Sequence, residues 1–154
     1  MKTPPQSSKT LATNRKARHD YTILESYEAG MALLGSEVKS CLEGKASISE
    51  AYCVFRDGSL FLVHSSIAPY APSSYLNHDQ HRDRRLLLHK RQLRKIRSQV
   101  EKSGMTVIPL DIHVAPNGRI KLSIAVCRGK THADKRNALR DRETKAIVAA
   151  ASRR

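Results

Sequence analysis

Two dipeptides, Asp57-Gly58 and Asn117-Gly118, constrain the fold of this chain more than any other feature. Asp-Gly is a strong two-residue hairpin signal, because both central positions of a type I′ turn need positive φ. It separates residues 47–55, which read as a strand, from a return strand over 60–63. Before Asn117-Gly118, Ile108, Leu110, Ile112 and Val114 alternate with Pro109, Asp111 and His113. After it, residues 119–126 alternate cleanly. A period of two sends Ile120, Leu122, Ile124 and Val126 inward and Arg119 and Lys121 outward. Antiparallel hairpins therefore form the body of the fold.

The remaining elements follow from local pattern. Residues 21–27 mix β-branched, aromatic and polar side chains as a strand does. Leu34, Val38, Cys41 and Leu42 share a helical face that Gly44 ends, and this places Glu37, Lys39 and Ser40 away from the apolar stripe. Prolines, serines and Asn77 make residues 68–80 a loop. Leu86, Leu93, Ile96 and Val100 share one face of a second helix, which Gly104 stops. Leu87 then falls off the stripe, and Lys90, Arg91, Arg94, Lys95 and Arg97 project from the flanks and back. About five or six short strands with packed helices suit a sandwich or a barrel, a small barrel of the OB type among them.

Charge sets the partner class. The chain carries 28 Lys+Arg against 14 Asp+Glu, a net of +14 over 154 residues. Most of the cations sit in three stretches, at 1–18, 82–97 and 128–154. Such an excess suits a polyanion, whose neutralised phosphates release counterions. Aromatic side chains are scarce, with two Phe, five Tyr and no Trp, so recognition by backbone and shape is expected over base stacking. Residues 1–18 read as a flexible basic arm and 19–130 as the RNA-binding domain. Residues 131–154 are too poor in large apolar side chains to pack and read as a basic tail that orders on its partner. The N-terminus lacks an apolar secretory core, and no apolar run is long enough for a membrane span. Cys41, Cys53 and Cys127 are expected to be reduced core residues in a cytoplasmic protein. No Walker loop, dinucleotide fingerprint, H-x-x-x-H pair or acidic cluster points to an enzyme, a cofactor or a metal.

Several blocks together carry a resemblance: 14–21 (Asn-Arg-Lys-Ala-Arg-His-Asp-Tyr), 27–30 (Tyr-Glu-Ala-Gly), 35–40 (Gly-Ser-Glu-Val-Lys-Ser), 44–52, 85–91, and Gly129-Lys130 with Asp134-Lys135-Arg136. In this order and spacing the chain resembles the SmpB family of bacterial SsrA-binding proteins over roughly residues 14–143. The resemblance implies a mainly β fold, a small OB-like antiparallel barrel with about three helices. It implies an adaptor, not an enzyme, that binds the tRNA-like domain of tmRNA (SsrA RNA) and delivers it to stalled ribosomes. The tail would probe the decoding centre and the empty mRNA channel in small-subunit RNA. The family's tmRNA-contacting positions fall on Asn14, Glu28, Leu87 and Lys121; the basic neighbours Arg15, Lys16, Arg18, Lys90 and Arg91 are expected to join them. Asp134, Lys135 and Arg136 match the start-of-tail motif, and Lys130 and Arg140 are expected beside it on the ribosome. The free protein is expected to be a monomer. The chain departs from the family at Cys41-Leu42, where Leu or Ile followed by Arg is usual, and at Ala133, where Tyr or His is common. A ribosomal or general structured-RNA-binding protein is the alternative, and a nuclease a distant third.

Overall fold

The computed structural model of the chain describes residues 9–70, 77–102 and 104–129. In chain order the elements are β1 (Lys9–Thr13), α1 (Arg15–Asp20), β2 (Tyr21–Met31), α2 (Gly35–Leu42), β3 (Ala46–Ser47) and β4 (Tyr52–Arg56). They continue with β5 (Ser59–Val63), β6 (Ser66–Ile67), β7 (Arg84–Leu87), α3 (Lys90–Glu101), β8 (Met105–Val114) and β9 (Ile120–Gly129). The fold is mainly β with three helices among the described residues, and every strand pairing is antiparallel.

Six strands close a ring in the order β8-β4-β5-β7-β2-β9, with β9 pairing back to β8; β1 lies along β8 outside the ring, and β3 and β6 form a separate short pair. The ring is held unevenly. β2 and β9 pair from Tyr21↔Gly129 to Gly30↔Lys121, whereas β4 meets β8 at one position, Cys53↔Val107. The core fills the ring with Ala29, Leu60, Leu62, Leu86, Ile112, Leu122, Ile124 and Val126, closed over by Ile96 of α3 and Cys41 of α2. The inward set expected on β9 is correct, since Ile120, Leu122, Ile124 and Val126 are all buried.

Both hairpins form. Asp57 and Gly58 take φ of 51° and 77°, the two positive values that a type I′ turn requires. The second turn is longer: the Gly118 N–H donates to the Ala115 carbonyl at 2.9 Å, and the Ala115 N–H to that of Arg119 at 2.8 Å. Pro116 and Asn117 precede a glycine at φ 82°, a conformation that costs a residue with a Cβ.

Strict alternation fails on β8. A register shift between Pro109 and Asp111 inserts Leu110 as an extra residue. Val107 and Ile112 therefore face the main core, while Ile108 and Leu110 face outward into a small second cluster with Ala17, Tyr21 and Cys127 under α1. Four more expectations need correction. Residues 9–18, placed in a flexible arm, form β1 and α1. The strand expected over 47–55 is broken, with β4 starting at Tyr52. Leu86 belongs to β7 and not to the helix, whose first residue is Lys90. The inner face of α2 is polar: Ser36, Glu37 and Ser40 are buried with Cys41, while Leu34 and Leu42 are about half exposed.

Arg84 explains that polar face. Both Arg84 and Glu37 have no exposed side-chain surface, and Nε of Arg84 donates to Glu37 Oε2 at 2.7 Å. Its Nη1 donates to Ser65 Oγ and the Arg82 carbonyl, and its Nη2 to the carbonyls of Asp79 and Gln80. All five guanidinium donors are used. Glu37 Oε1 accepts from the Leu34 N–H at 2.8 Å, which caps α2, and from Arg82. Burial pushes the Glu37 carboxyl up, but Arg82, the Leu34 N–H and Arg84 outweigh it and hold the group below its ordinary value. Beside it, His78 Nε2 donates to the Ile67 carbonyl at 2.8 Å, so Nδ1 accepts from the Ser36 hydroxyl, also at 2.8 Å. Two members of the 82–97 basic run, Arg82 and Arg84, are thus committed to tying α2 to the loop before β7.

Candidate nucleic-acid interface

The outer face of the ring gathers three of the expected contact residues through strand register. Gly30 of β2 pairs with Leu87 of β7 on one side and with Lys121 of β9 on the other; Lys121 pairs with His113 of β8, and His113 with Thr10 of β1. One row therefore crosses five strands: Leu87, Gly30, Lys121, His113, Thr10. The next row on the same face is Glu28, Ser123, Asp111. Residues that are register partners, or two apart on a strand, point to the same side of a sheet. Leu87 is 53% exposed and Glu28 shows about half its side-chain surface.

Gly30 keeps this row open. A Cβ built there would stand 3.2 Å from Leu87 Cβ and 3.6 Å from Lys121 Nζ. Without it, a groove of about 510 Å³ runs along Leu33, Val38, Leu87, Ile120 and Lys121. The groove's apolar floor and ammonium, with the Glu28 carboxylate one row away, suit a ribose-phosphate backbone with a base or hydroxyl donor beside it. Leu87 is exposed because β7 alternates, not because it sits on the flank of a helix as the sequence reading had it. Lys90 and Arg91 are exposed in the first turn of α3, three and four residues beyond Leu87. Lys95 is tied down: it donates to Glu25 Oε1 at 2.7 Å while Gln99 donates to Oε2 at 2.7 Å, fixing α3 to β2.

The expected residues near the N-terminus do not join this row. Arg15, Lys16 and Arg18 are exposed on α1, at the Tyr21↔Gly129 end of the β2–β9 ladder. Nine residue steps along β2 separate that end from Gly30, a strand length of about 30 Å. Lys16 is held to Glu50 at 2.7 Å. Asn14 is 5% exposed, with Nδ2 donating to the Pro109 carbonyl at 3.0 Å and its backbone N–H to that of Leu110 at 2.8 Å, while its Oδ1 is buried without a partner. Those carbonyls flank the β8 bulge, so Asn14 seats α1 on the kinked strand. The chain leaves β9 beside α1. Lys130, Asp134, Lys135, Arg136 and Arg140, with the tail expected over 131–154, lie outside the described residues.

Sequence reasoning missed His113 as a member of the row. The alternation sets it opposite the apolar residues of its strand, and nothing in the linear pattern shows that β9 brings it beside Lys121 and Glu28. The three cysteines are buried and free, as expected. Burial pushes the Cys41 and Cys127 thiols up to about 11 and raises Cys53 further. Among the described residues no group of three or more His, Cys, Asp or Glu is arranged to hold a metal ion, and no helix is long and apolar enough to cross a membrane.

The family model described as SmpB protein matches residues 11–154. The chain belongs to the SmpB family. An SsrA-binding protein of Clostridium tetani is 46% identical over 140 residues, covering 91% of this chain and 89% of its own length. One from Sulfurihydrogenibium is 43% identical over 139 residues, covering 90% of this chain and 91% of its own. Among solved structures, one described as "tmRNA-SmpB: a journey to the center of the bacterial ribosome" contains a chain 46% identical to this one, at a TM-score of 0.65. It covers 83% of this chain and 93% of that one. The family expected from the ordered sequence blocks is therefore correct.

Proposed function

We propose that this SmpB-family protein is the RNA-binding adaptor of trans-translation in its cell, binding the tRNA-like domain of tmRNA and carrying it to stalled ribosomes. The observation that carries the reading is the row Leu87–Gly30–Lys121 beside Glu28, in a chain whose relatives are named for binding SsrA RNA. The closed ring of strands is read as an OB-like barrel whose outer face presents that row. Glu28, Leu87 and Lys121 contact the RNA, with Lys90 and Arg91 extending the cationic surface. Arg15, Lys16 and Arg18 form a second basic patch about 30 Å of strand away, next to where the chain continues toward Lys130. The segment from Lys130, with Asp134, Lys135, Arg136 and Arg140, engages ribosomal RNA. The adaptor works as a cytoplasmic monomer and has no catalytic step.

Two measurements test this. The protein should bind the isolated tRNA-like domain far more tightly than an unrelated RNA duplex at about 0.15 M salt; equal affinities would reduce it to a general RNA binder. Truncation after Gly129 should leave that binding intact and abolish tagging on stalled ribosomes. Loss of tmRNA binding on truncation would overturn the division into two surfaces.

A further inference from the structure

Asp111, His113 and Glu28 form a chain of three titratable groups on the outer face. His113 Nδ1 lies 2.7 Å from Asp111 Oδ1, and His113 Nε2 lies 3.6 Å from Glu28 Oε2. A carboxylate accepts and does not donate, so the short contact puts a proton on Nδ1. Nε2 is then the nitrogen that faces Glu28. The imidazole is held firmly, with only 12% of its side chain exposed, while Glu28 is 54% exposed. The two reach each other diagonally, across the small Ser123 that separates Glu28 from Asp111 in their row. The groups around the ring are Asp111 on its own strand, Lys121 as its partner on β9, Glu28 on β2, and Thr10 on β1 with Lys9 one position along.

We propose that His113 is a positioning residue of the RNA face, acting through Glu28. This rests on the reading of that face given above. When Nε2 also carries a proton, His113 is a cation between two carboxylates and draws Glu28 over Ser123, leaving the Lys121 ammonium free for a phosphate. When Nε2 is a bare lone pair it cannot donate to Glu28; the carboxylate swings free, and the face has one positive charge fewer to set against the polyanion. RNA binding is therefore coupled to proton uptake at His113, and the one acid of the contact set is held in place only in the protonated form.

The experiment is fluorescence anisotropy of the full chain with the tRNA-like domain of SsrA RNA at fixed salt, from about pH 5.5 to pH 8. Wild type should lose about three- to tenfold more affinity over that span than His113→Gln, whose side chain does not titrate. The difference between the two profiles removes the other histidines from the result. Thermal unfolding of both proteins across the same range identifies any fold loss, and His113→Asn supplies a second non-titrating variant. Parallel profiles for wild type and both variants, with Lys121→Ala still weakening binding, would overturn the role of His113 alone. Unchanged affinity in Lys121→Ala and in Leu87→Ala would overturn the RNA face itself, and this inference with it.

Discussion

Two charge clusters of this protein contain nearly the same chemistry and do opposite work. In the interior, Glu37 meets Arg84 and Arg82, with every Arg84 donor satisfied and no exposed surface on either Glu37 or Arg84. On the outer face, Glu28 meets His113 at 3.6 Å and lies one row from Lys121, with about half its surface in water. The first cluster is closed: every Arg84 donor is used and both Glu37 oxygens accept, and the one spare group, Arg82 Nε, is itself buried. The second is open at Glu28, whose contact with His113 is long enough to be exchanged for an RNA. Saturation of hydrogen bonding, more than the presence of charge, separates a structural cluster from a binding one.

The largest effect expected from breaking this contrast is in the interior. Arg84→Met leaves Glu37 buried without its fully buried guanidinium partner and should cost about 3–5 kcal/mol in denaturant unfolding. Glu37→Gln keeps an acceptor for Leu34 but removes the charge facing two guanidinium groups; a loss of about 2–3 kcal/mol is expected. The same variant should flatten the acid limb of stability. A carboxyl held below its unfolded value, near 4.5, contributes stability that is fully present above that pH. The contribution fades as pH falls through the lower folded value, so wild type and Glu37→Gln should converge in acid.

Outer-face changes should be smaller and should leave the fold alone. Lys121→Ala is expected to weaken binding of the tRNA-like domain about tenfold and to lower the salt slope by about one, with an unchanged melting temperature. A melting temperature that fell with affinity would erase the distinction between the clusters. Gly30→Ala sharpens it further. The new Cβ presses on Leu87 and comes into contact with the Lys121 ammonium, so a loss of about two- to fivefold in affinity is expected, with little change in stability. At the bottom of the scale, Lys16→Ala removes an exposed ion pair with Glu50 and should leave unfolding unchanged.

The sequence made the periodic parts of this contrast legible and concealed the rest. Asp57-Gly58 gave a local rule with one outcome, and the alternation over residues 120–126 placed Lys121 outward, because neither depends on distant residues. The inner face of α2 followed no such rule. A periodicity argument sends Leu34 and Leu42 inward and Glu37 outward, since a lone carboxylate avoids burial. Here the partner lies 47 positions away in β7, and its burial reverses the helix. Leu86 fell at a helical spacing from Leu93 by coincidence, and a run of leucines before a basic helix fits either element. The bulge at Leu110 shifts the phase of β8 without any glycine to mark it. His113 became part of the candidate interface only when β9 had been laid between β8 and β2.

The ring also has a clasp. Its longest ladders run the length of β9, yet β4 joins β8 only where Cys53 faces Val107. Local opening follows the least paired backbone, so amide protons of β4 on that edge should exchange with solvent before those of β2 and β9. Cys53 sits in the clasp and is 6% exposed. A thiol reagent can reach it when the edge parts, while Cys41 on the inner face of α2 and Cys127 under α1 remain packed. The rate at which Cys53 is labelled is then a clock for how often this ring comes undone.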